Sequence, residues 1–160
     1  MISKSDTDIT IIGAGVIGLA IASRLSEKFR DIILIEKNSS FGQEISSRSS
    51  EVIHAGIYYQ KNSLKAFHCL RGNKMLYEYC QSHGINHKKT GKLIVTKEAA
   101  AESLKQLLEK AKNNGVEGLE YLKKPEIKLL EPELEVDCAI LSKTSGIIDS
   151  HGFMQSLADN

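Results

Sequence analysis

One stretch of about thirty residues constrains this chain more than any other. An apolar run, Asp8 to Ile12, enters Gly13-Ala14-Gly15-Val16-Ile17-Gly18, and a second run, Ile32 to Ile35, closes on Glu36. The order reads as strand, glycine turn, helix, and strand ending in an acid, the fingerprint of a dinucleotide site. Gly13 permits the tight turn, Gly15 lets backbone approach a pyrophosphate, and Gly18 lets the helix settle on the sheet. The helix that follows starts with unpaired N–H groups and a positive dipole end, which together hold a diphosphate without a metal. Ala14, Val16 and Ile17 complete the turn that presents those groups. Glu36, about 18 residues beyond Gly18, stands where its carboxylate can accept hydrogen bonds from a ribose diol. The same charge repels a 2′-phosphate and disfavours NADP.

Composition excludes several classes of function. The chain has 160 residues, 41% hydrophobic and 26% charged, which suits one ordinary globular domain. Its 21 basic and 20 acidic side chains give a formal net charge of +1, so no long-range field recruits nucleic acid. Lys88-Lys89 and Lys123-Lys124 read as solvated faces. No stretch approaches the ~18 apolar residues of a membrane span. Met1 to Asp8 is polar and carries neither a secretory nor an Arg-rich transit pattern, so a cytoplasmic start is the simplest expectation. Cys69 and Cys80 fall on one expected helix, three turns or roughly 16 Å apart, too far to join. With Cys138 they are expected to be reduced and mostly buried, as in a reducing compartment.

After the second strand comes a loop of turn formers, Lys37 to Gln43, and a serine cluster, Ser46 to Ser50. The spacing of Ala66, Cys69, Gly72, Leu76 and Cys80 predicts a helix from about Leu64 to Ser82 with that face inward, capped by Ser63 and ended by Gly84. Lys92 to Thr96 reads as a strand. Ala99 to Lys112 reads as an amphipathic helix with Leu104, Leu107, Leu108 and Ala111 inward and Gly115 as its stop. A strand over Leu119 to Leu122, a short helix near Pro125 to Leu130 and a strand over Ala139 to Ser142 follow. Asp149 then caps a final helix. His83 and His87 have the spacing of a helical metal pair, but Gly84 lies between them and no third ligand is evident, so no metal is expected.

A dinucleotide-binding sheet needs a third parallel strand, and purely parallel sheets are covered on both faces. Only two strands here have that character. The expectation is therefore a truncated or split protein, with a complete miniature domain as the alternative.

Further residues carry a resemblance. Ser47-Arg48-Ser49-Ser50-Glu51-Val52-Ile53-His54-Ala55-Gly56-Ile57-Tyr58-Tyr59, set after the glycine motif, closely resembles the FAD-dependent L-2-hydroxyglutarate dehydrogenases of the D-amino-acid-oxidase-like superfamily. Ser63 to Ala66 with Cys69 and Gly72, Gly91 to Val95, Glu131 to Leu134 and Gly146 to Asp149 match in the same order. The resemblance implies an α/β fold: an FAD-binding, Rossmann-like parallel sheet with part of an inserted α+β substrate domain. Its expected divisions are 1–90 for the first part of the FAD domain, 91–148 for part of the substrate domain, and 149–160 for the start of a return to the FAD domain. The family's enzymes are longer, and their C-terminal part completes the FAD fold and much of the substrate site.

On that resemblance the dinucleotide is FAD. Glu36 takes the adenosine ribose and Lys37 lines the adenine end; Ser46 and Ser47 stand near the pyrophosphate and ribityl; Glu51, Val52 and Ile53 run under the flavin. Read from the residues alone, the serine cluster is equally a polar surface loop, and Arg48 pairs with either a phosphate or Glu51. His54 is the candidate catalytic residue, orienting a hydroxyl or acting as base beside the flavin, against a purely structural histidine. Tyr58 and Tyr59 either close the flavin edge or simply pack. The implied reaction oxidises a 2-hydroxy acid to the 2-oxo acid, with electrons leaving to a quinone or dioxygen. Two substrate carboxylates call for cationic partners, and Lys65 and Lys92 are the candidates within the chain. The implied associations are the small-molecule acid, peripheral contact with the inner membrane, and a separately encoded C-terminal half. The rival readings are a nucleotide-binding remnant or subunit without turnover, a NAD-dependent dehydrogenase, and a sister enzyme acting on glycerol 3-phosphate or an amino acid.

Overall fold

Isoleucine-rich runs make the first two strands. In the computed structural model, which describes residues 7–160, β1 (Ile9–Ile12) and β2 (Ile32–Ile35) pair in parallel, from Ile9 opposite Ile32 to Ile12 opposite Ile35. Most of the polar N-terminal segment read above, residues 1–6, lies outside the described residues. The parallel pairing requires a crossover, and α1 (Val16–Ser26) supplies it. Alternation then decides the faces: Ile9, Ile11, Ile32 and Leu34 are half-buried, while Ile12, Ile33 and Ile35 are exposed.

The chain divides into two units. Of the described residues, the first comprises 7–51 together with His83–Asn86 and Asp149–Asn160. Here α1 packs against the last helix, α5 (Ser150–Asp159), and Leu19 of α1 and Met154 and Leu157 of α5 are buried. Burying a side chain of that size contributes about 1.5–3 kcal/mol. As expected, Asp149 is the N-cap of α5, its carboxylate accepting from the Gly152 N–H at 2.9 Å.

The second unit comprises Val52–Ser82 and His87–Ile148. Its larger sheet is antiparallel, with β5 (Lys92–Thr96) and β6 (Leu119–Lys123) flanking β7 (Cys138–Ser142). The central strand is apolar from Cys138 to Leu141 because both of its faces are covered, and its last residue, Ser142, is buried with its hydroxyl paired to that of Ser145 at 3.0 Å. Cys138 and Ile140 meet Ala101, Leu104 and Leu108 of α3 (Ala101–Asn113), whereas Ala139 meets Leu122 and Ile127, the latter from α4 (Lys124–Leu130). A smaller antiparallel sheet places β8 (Gly146–Ile148) between β3 (Val52–Ile53) and β4 (His87–Lys88). These three strands were not anticipated: two or three residues are too few to establish an alternation.

The helix α2 (Leu64–Ser82) has the expected bounds, and Ser63 Oγ accepts from the Ala66 N–H at 3.1 Å as its cap. Its inward face differs from the expected one. Ala66 and Cys80 are buried, but Asn73 and Tyr77 share the core with them, while Cys69, Gly72 and Leu76 are only half-buried. The reason is polar. Asn73 Nδ2 donates to the carbonyls of His54 and Thr144, both at 3.0 Å, and the Tyr77 hydroxyl donates to the Thr144 carbonyl at 3.2 Å. Loop carbonyls that would otherwise be buried unpaired are satisfied by this helix face. All three cysteines are free, with Cys80 and Cys138 buried and Cys69 half-buried. Among the described residues, no helix is long and apolar enough to cross a membrane.

Candidate functional site

The glycine turn is built by contacts that only glycine allows. Gly13 has φ +99°, and its N–H donates to the Ile35 carbonyl at 2.7 Å, tying the turn to the end of β2. A Cβ placed on Gly18 would stand 1.9 Å from the Gly13 carbonyl oxygen. A Cβ on Gly15 would stand 3.0 Å from Ser46 Oγ. The first half-turn of α1 is thus pressed against the glycine turn, and the serine cluster is drawn up to its mouth.

Three polar groups converge there. Glu36 accepts from the Ala14 N–H at 2.8 Å through one carboxylate oxygen and from the Asn38 N–H at 2.9 Å through the other. Those two backbone donors, Asn38 before Ala14, hold the Glu36 carboxyl below its ordinary value of 4.5. Ser46 Oγ, carried on a 3₁₀ turn over Ile45–Arg48, accepts from the Val16 N–H at 3.0 Å. Two turn amides are thereby taken by side chains. Among the described residues, no protein acceptor bonds the N–H groups of Gly15, Ile17 or Gly18, so the helix mouth keeps donors for an anion.

Other expected site residues are engaged elsewhere. The Lys37 ammonium pairs with Glu44 at 2.7 Å, which raises the lysine and lowers the glutamate from their ordinary values. The Ser47 hydroxyl donates to the Glu44 carbonyl at 2.9 Å and so closes its own turn. Glu51, in the left-handed region at φ +56°, accepts from the Ser150 hydroxyl at 2.8 Å and the Ser150 N–H at 3.1 Å, rather than pairing with Arg48. These bonds hold the Glu51 carboxyl low. Sequence reasoning had no local signal for this link across 99 positions. Glu51, Asp149 and His151 bring ligand-type atoms within 4.8 Å of one another. Asp149 and Glu51 are already spent on the start of α5, so the cluster is accounted for as capping.

A pH dependence follows. Carboxyls held low in the fold stabilise it fully above their unfolded pKa, and that contribution is lost as pH falls through the folded value. Helical signal is therefore expected to hold at neutral pH and to decline below about 4.5, the ordinary value for Glu36 and Glu51. Circular dichroism across that range checks it: Glu36→Gln and Glu51→Gln should each flatten the acid limb, and a limb unchanged in both would contradict the assignment.

Val52, Ile53 and His54 belong to the second unit. Ile53 is 1% exposed and pins β3, while the His54 imidazole is exposed. The His54 backbone is clamped, because its carbonyl accepts from Asn73 Nδ2 at 3.0 Å and lies 3.5 Å from Cys69 Sγ. Ala55, Gly56 and Ile57 are buried beyond it, with Gly56 at φ +90°. A buried, hydrogen-bonded backbone presenting one free imidazole suits a group that must be aimed. Asn73 is the residue that sequence reasoning missed here, since an apolar helical period does not reveal a polar clamp.

Known proteins resemble this chain over nearly its whole length. Residues 8–160 match the model of the family described as FAD dependent oxidoreductase. The chain is 48% identical over 159 residues to the mitochondrial L-2-hydroxyglutarate dehydrogenase of Arabidopsis thaliana, covering 99% of this chain and 33% of that protein. It is 35% identical to L-2-hydroxyglutarate dehydrogenase of Escherichia coli K12, covering 94% and 36% respectively. The dithionite-reduced L-α-glycerophosphate oxidase of Mycoplasma pneumoniae with FAD bound superposes with TM-score 0.88 and 31% identity, over 97% of this chain and 42% of that one. The chain thus spans about a third of the length of the curated relatives it matches.

Proposed function

The chain belongs to the FAD-dependent oxidoreductase family, and from that premise we propose that it contributes the nucleotide cradle and part of the substrate-facing unit of an enzyme oxidising a 2-hydroxy acid of L-2-hydroxyglutarate type. The observation that carries the cofactor assignment is the helix mouth of α1. Its free Gly15, Ile17 and Gly18 amides, with glycines at every position where a Cβ would obstruct, suit a diphosphate. Each Glu36 oxygen, although bonded to one backbone N–H, retains a lone pair for a ribose hydroxyl. Ser46 caps the helix beside the expected pyrophosphate position, and Glu51, Val52 and Ile53 carry the chain on toward His54. Lys37 and Ser47, held by Glu44 in this structure, are assigned to the same cofactor on the resemblance alone. Residues 91–148 are assigned to part of the substrate domain, between 1–90 and 149–160 of the FAD domain.

When bound, FAD supplies the hydride acceptor. His54 would orient the substrate hydroxyl or take its proton, and the backbone clamp at its carbonyl limits where that imidazole can go. The substrate class rests on the names of the relatives, and a quinone or dioxygen as electron acceptor, a separately encoded C-terminal half and peripheral membrane contact are part of the same proposal.

Flavin titration of the purified chain tests this reading. FAD is expected to bind and NADH not to, and L-2-hydroxyglutarate, added to the chain assembled with the polypeptide that completes it, should bleach the flavin band. Binding of NADH in place of FAD would overturn the cofactor assignment. The likeness to a glycerophosphate oxidase favours one second reading, and bleaching by glycerol 3-phosphate alone would replace the substrate class with it.

A further inference from the structure

A set of lysines has no glutamate within ion-pair distance among the described residues. Among the described residues, Lys37, Lys74, Lys105, Lys112, Lys124, Lys128 and Lys143 each lie within ion-pair distance of a glutamate. Three others, far apart in sequence, converge on one dipeptide instead. Lys92 Nζ of β5 sits 5.0 Å from the centroid of the Tyr58 ring, and Lys65 Nζ of α2 sits 4.9 Å from that of Tyr59. Lys110 Nζ of α3 donates to the Tyr58 carbonyl at 3.3 Å. The dipeptide is itself anchored, because Asn114 Nδ2 donates to the Tyr59 carbonyl at 2.8 Å. A small hollow beside it is lined by His54, Tyr58, Tyr59, Lys92 and Ser145.

An ammonium resting over a phenol face is held by the ring's quadrupole, yet the ring accepts none of its N–H donors in a conventional bond. Such a lysine is positioned and still able to bind. Lys92 lines the same hollow as His54, the exposed imidazole of the 54–59 segment; Lys65 is seated on the next tyrosine, and Lys110 is held at the Tyr58 carbonyl. A monocarboxylate needs one such partner, whereas a dicarboxylate gains from two.

We propose that Lys92 and Lys65, seated on Tyr58 and Tyr59 and reinforced by Lys110, form the site that recognises the carboxylates of a dicarboxylic substrate beside His54. This deepens the function proposed above and rests on it for the identity of the reaction. It does not rest on it for the binding of the anion.

The test is a titration of the isotopically labelled full chain with glutarate and, separately, with butyrate and sulfate, followed through backbone amide shifts, with FAD titrated into a parallel sample. Glutarate is expected to shift the amides of residues 54–59 saturably and to bind several-fold tighter than butyrate or sulfate. Lys92→Gln should weaken glutarate about fivefold, the upper end for an exposed ion pair, and Lys92→Arg should retain it. Lys28→Gln, in the first unit, should leave it unchanged. Lys65→Gln serves as the second variant should Lys92→Gln lose its native spectrum. Shifts scattered over surface lysines, or equal affinity in wild type and Lys92→Gln, would overturn the site. Glutarate binding at residues 54–59 in a chain that takes up no FAD would support the site and overturn only the cofactor reading, whereas FAD binding without glutarate binding would overturn the site alone.

Discussion

Gly18→Ala is expected to destabilise the first unit by at least ~3 kcal/mol, the upper range for overpacking, and to abolish flavin binding with it. The added methyl would fall 1.9 Å from the Gly13 carbonyl oxygen and 3.1 Å from its carbon, so backbone must move, and no side-chain rotation relieves the clash. The atoms that must move are the ones that shape the turn. Gly15→Val separates the two effects. At that position the nearest obstacle is Ser46 Oγ at 3.0 Å, the end of a side chain that can swing away. The Gly15 variant is therefore expected to melt within a few degrees of wild type and still to lose FAD, because its branched side chain fills the approach to the helix mouth. Urea unfolding followed by circular dichroism, with flavin content measured on the same samples, checks both. A Gly18→Ala protein as stable as wild type would contradict the tight turn.

Gly146→Ala is expected to cost the second unit a comparable ~3 kcal/mol. Gly146 is buried in the middle strand of the small sheet, and a Cβ there would lie 2.2 Å from the Tyr77 hydroxyl and 2.3 Å from the Lys88 carbonyl oxygen. Tyr77→Phe removes only the first obstruction. The double variant should remain destabilised because the Lys88 carbonyl belongs to the neighbouring strand β4, which would have to separate from β8. Full recovery in the double variant would assign the glycine to the tyrosine and not to the strand pairing.

The parts of this fold that were legible share a physical character. The glycine motif, α1 and β2 are local features whose residues state their own conformation, through glycine turns, isoleucine runs and a terminal acid. The helix α3 announced its inward face because Leu104 and Leu108 meet Cys138 and Ile140 of the sheet and Ala111 meets Ala55, Ile57 and Val116, all apolar. What sequence left hidden depends on pairing between distant segments. The strands β3, β4 and β8 exist only by virtue of one another, and Val52 is 95 positions from its partner Ile147. Asn73 and Tyr77 read as breaks in an apolar stripe until the carbonyls of His54 and Thr144 are seen beneath them. The same holds for the candidate site. Glu36 and the glycines were readable in place, but Ser46 on the Val16 N–H, Ser150 on Glu51, and the lysines on Tyr58 and Tyr59 are products of tertiary structure.

The sheet faces also bear on what surrounds the first unit. Ile12 is 86% exposed, and Ile33 and Ile35 of the adjacent strand are uncovered on the same side. Parallel sheets are ordinarily covered on both faces. The relatives it matches are about three times as long as this chain.

Calorimetric titration of the wild-type chain and of Gly15→Val with FAD addresses the central proposal most directly. The wild type is expected to take up FAD stoichiometrically and a folded Gly15→Val protein to take up none. Equal uptake by the two, or no uptake by a wild-type chain whose native fold is verified, would contradict that proposal.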